Sequence, residues 1–255
     1  RLTQDPRNGW VYSLHQNCVT NCATLAANPK TIQYFLNRTT DQGSTWSLNG
    51  NAGGIVVATA DSTQPQPKFG TVNALLGGVL QAAVDPSNGD LYYVYGNRDA
   101  AGNNRLAIRR VSDNGAGGVT IGAENFVVNG TVTAALPAIS VTSNGAVGVF
   151  YYTYNGIVSG FPQFSTWLAV SVDQGVTFSA QKLATFLSPA VDNGNGRQRV
   201  WGDYHQMKTV GNCFYGAFTG NGAAFGRTTA QGDPIFFKAC VPTWAIAGAG
   251  DVNKD

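Results

Sequence analysis

The chain is poor in charge. Of its 255 residues only 30 are ionised at neutral pH, 16 Lys+Arg and 14 Asp+Glu, or 12%, where a soluble domain usually carries about 25%. Glu124 is the sole glutamate and Met207 the sole methionine. Surface helices lean on Glu–Lys pairs and strong helix formers, so this shortage excludes a helical bundle or coiled coil. The net charge of +2 comes with no basic run, which excludes nucleic acid as the main partner. No apolar stretch is long enough to span a bilayer as a helix. The chain is rich in glycine (32), in aromatics (13 Phe, 10 Tyr, 5 Trp) and in Asn, Thr and Val. That composition predicts an all-β fold.

Four cysteines, Cys18, Cys22, Cys213 and Cys240, allow three disulfide pairings. A zinc site would want two CxxC knuckles, which are absent. The spacing favours Cys18–Cys22 and Cys213–Cys240, and with them an exported protein, extracellular or at the cell surface. Asn37-Arg38-Thr39 and Asn129-Gly130-Thr131 are glycosylation sequons. No signal peptide is visible ahead of Arg1, so a processed product or a fragment is expected.

Self-comparison is the informative step. Leu2-Thr3-Gln4-Asp5-Pro6-Arg7-Asn8-Gly9-Trp10-Val11-Tyr12 returns as Ala82-Ala83-Val84-Asp85-Pro86-Ser87-Asn88-Gly89-Asp90-Leu91-Tyr92. Looser copies are Ile139–Val147 and Met207–Tyr215. Each reads as strand, tight turn, strand, because Asn-Gly tolerates positive φ. A second signature follows each copy. Thr39-Thr40-Asp41-Gln42-Gly43-Ser44-Thr45-Trp46 returns as Ser171-Val172-Asp173-Gln174-Gly175-Val176-Thr177-Phe178. Degraded copies are Ser112-Asp113-Asn114-Gly115 and Arg227-Thr228-Thr229-Ala230-Gln231-Gly232. Their central positions lie 72, 60 and 57 residues apart, the size of a four-stranded propeller blade.

This second signature resembles the Asp box, or BNR repeat, of sialidase-like β-propellers. The resemblance covers residues 2 to 241. It implies a β-propeller of four visible blades, each of about four antiparallel strands, at 1–76, 77–134, 135–190 and 191–243. A tail, 244–255, would start a further module. Six blades are usual in sialidases, so upstream blades, on another chain or lost to processing, are expected to complete the ring; a closed four-bladed ring is the alternative. The resemblance gives Asp41, Gly43, Trp46, Asp113, Gly115, Asp173, Gly175 and Phe178 structural roles on the rim. The Asp caps a hairpin, Gly takes positive φ, and Trp or Phe packs between blades.

A sialidase of this family needs an arginine triad, a tyrosine nucleophile with a glutamate base, and an aspartate acid/base. Glu124, at a blade's outer edge, is poorly placed for that base. The densest polar cluster is Arg197-Gln198-Arg199-Val200-Trp201-Gly202-Asp203-Tyr204-His205, expected to enter the fourth blade's channel strand. Read as a sugar site, Trp201 or Tyr204 stacks on a pyranose and Asp203 and Arg199 bond hydroxyls, with His205 beside them. The competing reading is a packed channel strand. His15 is expected to be structural, and no metal is expected. Tyr92–Tyr95 and Phe150–Tyr154 alternate with period two and read as blade core; Gly156–Phe164 reads as a loop long enough to reach a ligand. Asp251, Asn253 and Asp255 open a calcium-loop pattern that stops before its glycine and distal acid, so no cofactor is expected. The leading expectation is an exported propeller that binds carbohydrate or a surface protein without hydrolysis. The alternatives are a sialidase-type hydrolase and a structural propeller subunit.

Overall fold

The computed structural model describes residues 1–23, 29–62, 80–115, 118–128, 134–188, 191, 205–221 and 232–242. Every regular element among them is a strand. Four antiparallel meanders follow one another along the chain. The first holds β1 (Leu2–Gln4), β2 (Val11–Thr20), β3 (Lys30–Thr39) and β4 (Ile55–Ser62). The second holds β5 (Gln81–Val84), β6 (Leu91–Arg98), β7 (Asn104–Asp113) and β8 (Val119–Ile121), with β9 (Asn125–Phe126) also paired to β7. The third is β10 (Ala134–Val141), β11 (Val147–Val158), β12 (Phe161–Ser171) and β13 (Ser179–Leu187). The fourth is β14 (Gln206–Val210), β15 (Cys213–Asn221) and β16 (Gly232–Cys240). The leading strands sit side by side, β1 by β5, β5 by β10, β10 by β14. Together they line a central cavity of about 740 Å³. This is a β-propeller arrangement, with each sheet a blade.

Side-chain alternation explains how the blades stack. Consecutive strand residues point to opposite faces, so Tyr93 and Tyr95 enter one core while Tyr92 and Val94 enter the next. The first core joins Tyr12, Leu14, Tyr34 and Leu36 of the first sheet to Leu91, Tyr93 and Tyr95 of the second. The second joins Tyr92, Val94 and Ile108 to Val147, Val149 and Tyr151 of the third. The third joins Phe150, Tyr152 and Phe164 to Phe214, Phe218 and Phe237 of the fourth. The inner two sheets are therefore apolar on both faces. Among the described residues no core joins the fourth sheet to the first.

The turns follow their sequence signals. Asp5 and Asp85 close the β1–β2 and β5–β6 hairpins by accepting from backbone N–H groups two residues on, Arg7 at 2.9 Å and Ser87 at 2.8 Å. Gly9 and Gly89 supply positive φ. Gly156–Phe164 departs from expectation. It is a hairpin rather than a loop, since β11 and β12 stay paired out to Val158↔Phe161. Ser159 and Gly160, both at positive φ, make the two-residue turn whose twist suits a hairpin. The two disulfides pair Cys18 with Cys22 and Cys213 with Cys240, the latter two directly opposite in the β15–β16 ladder. No helix among the described residues is long and apolar enough to cross a membrane.

Candidate functional site

In each of the first three meanders the first and third turns lie at one end and the second turn at the other. The Asp boxes occupy third turns. Thr39 Oγ1 donates to Asp41 Oδ1 at 2.8 Å, and the amide of Gly43 donates back to Thr39 Oγ1 at 2.9 Å. Thr45 donates to the same carboxylate through its amide (2.9 Å) and hydroxyl (2.7 Å). Ser171, Asp173, Gly175 and Thr177 repeat this network at 2.6, 2.9, 2.9 and 2.5 Å. In both boxes the Gln and Gly of the turn take positive φ. Three hydrogen bonds from within the turn occupy the Asp41 carboxylate, which leaves little of its roughly four acceptor sites to offer a ligand. Phe178 packs against the core between the second and third sheets, whereas Trp46 joins none of the three cores.

Asp113 behaves differently. It binds the amide of its own Gly115 at 2.9 Å, but its other oxygen faces the first sheet. There it accepts from the Tyr12 hydroxyl at 3.0 Å and from Arg38 Nη1 at 2.6 Å. Arg38 in turn lies over the Trp10 ring, 4.4 Å from its centroid. The Trp10 ring fills the space above Gly115, where a Cβ would meet it at 2.5 Å. In this box the inter-blade aromatic thus comes from the neighbouring blade's hairpin.

A second polar surface lies at the opposite end of the sheets, where the second turns are. A groove of about 450 Å³ between the first and second sheets is lined by Thr31, Thr59, Asp61, Asn97, Arg98 and Asp99. Most of these side chains are fixed by partners. Thr31 Oγ1 donates to Asp61 at 3.0 Å. Arg98 Nε donates to the Gly102 carbonyl at 2.9 Å. Asp99 accepts from Asn103 and from Arg105 Nη2, the latter at 2.7 Å. The Asn103 hydrogen bonds, with the Arg105 charge behind them, hold the Asp99 carboxyl below its usual range. Asn97 Nδ2 donates to Glu124 at 2.9 Å.

Glu124 is also bonded to the Tyr95 hydroxyl by a very short hydrogen bond, and Arg109 Nε donates to that hydroxyl at 3.0 Å. A tyrosine, a glutamate and an arginine therefore meet inside the second blade. Burial first, and the Glu124 hydrogen bond second, push the Tyr95 hydroxyl far above its ordinary acidity range, and Tyr95 is fully buried. Sequence reasoning did not pair these two residues, because a loop between short strands gives no register signal.

The remaining sequence candidates separate clearly. His15 stacks on Phe35, with ring centroids 4.9 Å apart. His205 is buried against Phe150 and Tyr152, and its backbone carbonyl accepts from Gln81 Nε2 at 3.1 Å. Arg199, Trp201, Asp203 and Tyr204 lie outside the described residues, as do Asp251, Asn253, Asp255 and the degraded box at 227–231. The described lining of the central cavity includes Arg1, Gln4, Gln81, Gln206 and Lys208 but no carboxylate. No group of three or more His, Cys, Asp or Glu among the described residues could hold a metal ion. The Asn37 side chain is buried and donates to the Ala52 carbonyl at 2.8 Å, so its sequon is closed by the fold.

No known family profile matches the sequence, and no curated protein does. Solved structures do. A Penicillium chrysogenum α-L-arabinanase complexed with arabinobiose superposes with a TM-score of 0.50 at 12% identity, covering 91% of this chain and 72% of that one. A GH43 endo-arabinanase from Bacillus licheniformis gives 0.41 at 13%, covering 95% and 73%. A protein of unknown function from Dyadobacter fermentans gives 0.45 at 14%, covering 94% and 75%. At these identities the likeness is one of fold. Two of these three neighbours are arabinanases by name, and none of the three is named a sialidase, the family that the Asp boxes resemble.

Proposed function

We propose that the chain is an exported propeller module that binds carbohydrate without hydrolysing it, through the groove between its first two blades. One observation carries this reading. The groove presents donors and acceptors held in place by internal partners, and Asp99 among them is pushed toward its charged form. A glycosidase needs the reverse, a carboxyl kept protonated as general acid beside a second carboxylate. Among the described residues, every carboxyl whose acidity is displaced moves down: Asp5, Asp41, Asp99 and Asp173. Preordered polar groups suit sugar hydroxyls, because binding then orders little of the protein. The two disulfides support an exported location.

A second reading is a sialidase-type hydrolase, favoured by the Tyr95–Glu124 pair. Its weakness is that Tyr95 is sealed in the core, out of reach of a substrate and far from ionisation. A glycan array followed by turnover assays on a fluorogenic sialoside and on an arabinan separates the two. Binding that Asp61→Ala abolishes, with no product released, is the expected result. Product release that Tyr95→Phe abolishes establishes the hydrolase instead. An array without hits removes the carbohydrate reading and leaves a structural subunit or a protein-binding surface.

A further inference from the structure

We infer that the groove between the first two blades selects hexuronic acid units of a polysaccharide, with Arg98 gripping the sugar carboxylate. This choice of sugar rests on the carbohydrate reading of the groove. Arg98 is the telling residue. Arg7, Arg38, Arg105 and Arg110 each rest on an aspartate. Arg109 is committed to the Gly122 carbonyl and the Tyr95 hydroxyl. Arg98 lines the groove with no carboxylate on it. Its Nε donates to the Gly102 carbonyl at 2.9 Å, and its two terminal nitrogens have no hydrogen-bond partner among the described residues. The carboxylate next to it in the chain, Asp99, is already held by Asn103 and Arg105.

The guanidinium is fixed before any ligand arrives. The Arg98 amide donates to Asn97 Oδ1 at 2.8 Å, and Asn97 Nδ2 is anchored on Glu124 at 2.9 Å. The guanidinium itself lies against Gly102, where a Cβ would meet Nη2 at 2.7 Å. Gly102 also has a φ of +84°, so the turn needs glycine there twice, for its backbone and for the room it leaves. A planar fork held in this way meets a carboxylate through two parallel N–H···O bonds. Little of the protein is then ordered on binding.

The opposite wall sets the orientation. It belongs to the first sheet and carries Thr31, Thr59 and Asp61. Thr31 Oγ1 donates to Asp61 Oδ1 at 3.0 Å, and Asp61 Oδ2 stays open as an acceptor among the described residues. Asp61 and Arg98 stand on facing walls without forming an ion pair. Asp61 therefore repels a carboxylate and accepts from hydroxyls, while Arg98 does the reverse. The matching ligand has an anion on one side and hydroxyls on the other. A hexuronic acid pyranose is built that way, with its carboxyl on C5 and its C2 and C3 hydroxyls across the ring. A neutral sugar would leave the Arg98 fork unused.

The test is isothermal titration of the 255-residue chain with trimers of galacturonic acid and of glucuronic acid. Each is run beside its methyl ester, which keeps the ring and removes the charge. At least one acid trimer is expected to bind about tenfold or more tightly than its ester, the worth of hydrogen bonds to a charged group. Arg98→Gln should bring acid and ester level. Arg98→Lys should recover only part of the preference, because a point charge cannot form the paired bonds. Thermal melting confirms that both variants fold. Equal binding of acid and ester overturns the inference, as does a preference that survives Arg98→Gln, or no binding by either acid. If neutral glycans on the array bind and Asp61→Ala abolishes that binding while the acid trimers stay unbound, the groove function stands and its acidic selectivity falls. If neither the array nor the trimers show binding, both fall together.

Discussion

The Tyr12 hydroxyl of the first blade donates to the Asp113 carboxylate of the second at 3.0 Å. Arg38 joins the same carboxylate from the first blade, and the Asp113 side chain is 1% exposed. Removing one partner of a buried ion pair strands the other charge, which typically costs 3–5 kcal/mol. Asp113→Ala should therefore destabilise the protein by about 3 kcal/mol, and Tyr12→Phe by about 1 kcal/mol. Urea denaturation of the two variants and of the double variant checks both. Additive costs would mean that the residues act independently and that the seam is not one network.

The Asp boxes set the behaviour in acid. The Thr45 amide and hydroxyl, helped by Thr39, hold Asp41 at about 2 against an ordinary 3.8. A carboxyl whose folded value is depressed contributes stability that is present above its unfolded value and lost as pH falls through its folded one. The Asp41 turn should thus stay closed down to about pH 4 and open between there and about pH 2. Amide exchange at Thr45 reports it. In Asp41→Asn the acid-dependent step should vanish, with exchange raised at every pH.

The alkaline limit has the opposite sign. Burial raises Tyr92 and Tyr151 to about 12, and Tyr34, Tyr93, Tyr95 and Tyr152 further. The unfolded chain ionises its tyrosines near 10. Stability from these residues is therefore complete below about pH 10 and drains away as pH rises through 12. A spectrophotometric tyrosine titration should show a late, cooperative step coincident with unfolding. A smooth titration of all ten tyrosines near 10 would contradict the buried cores.

The disulfides should differ in worth. Cys213–Cys240 closes 27 residues and Cys18–Cys22 only 4. Loop-closure entropy assigns the longer link roughly 3–4 kcal/mol and the shorter about 2 kcal/mol. The paired variants Cys213→Ala/Cys240→Ala and Cys18→Ala/Cys22→Ala, compared by thermal melting, should rank in that order.

The blade pattern was readable because turns are local. Asp-Pro with Asn-Gly, and the Asp box with its Gly, encode their conformation within a few residues, and Gly9, Gly89, Gly43 and Gly175 adopt the positive φ those motifs require. Period-two aromatics likewise announced the cores. Relations between blades were not readable. The resemblance assigned Asp113 to its own turn, and only the fold shows its second oxygen turned toward Tyr12. Gly156–Phe164 looked like a loop because its glycines and proline suggest breakage. Yet Pro162 sits just after a turn, at the start of a strand, where its missing N–H is tolerated. The polar groove arises between sheets, from hairpin tips meeting. That relation is not written in any single segment.

Among the described residues, the three cores link the four sheets as a series with two ends. The second and third sheets are gripped on both faces, and the first and fourth on one each. The three most exposed large apolar side chains among the described residues, Leu2, Val210 and Phe236, sit on those end sheets. In a row of this kind stability is shared between neighbours, so loss of order has a direction. The outermost sheets peel away first, and the tyrosine-packed middle pair is the last structure to let go.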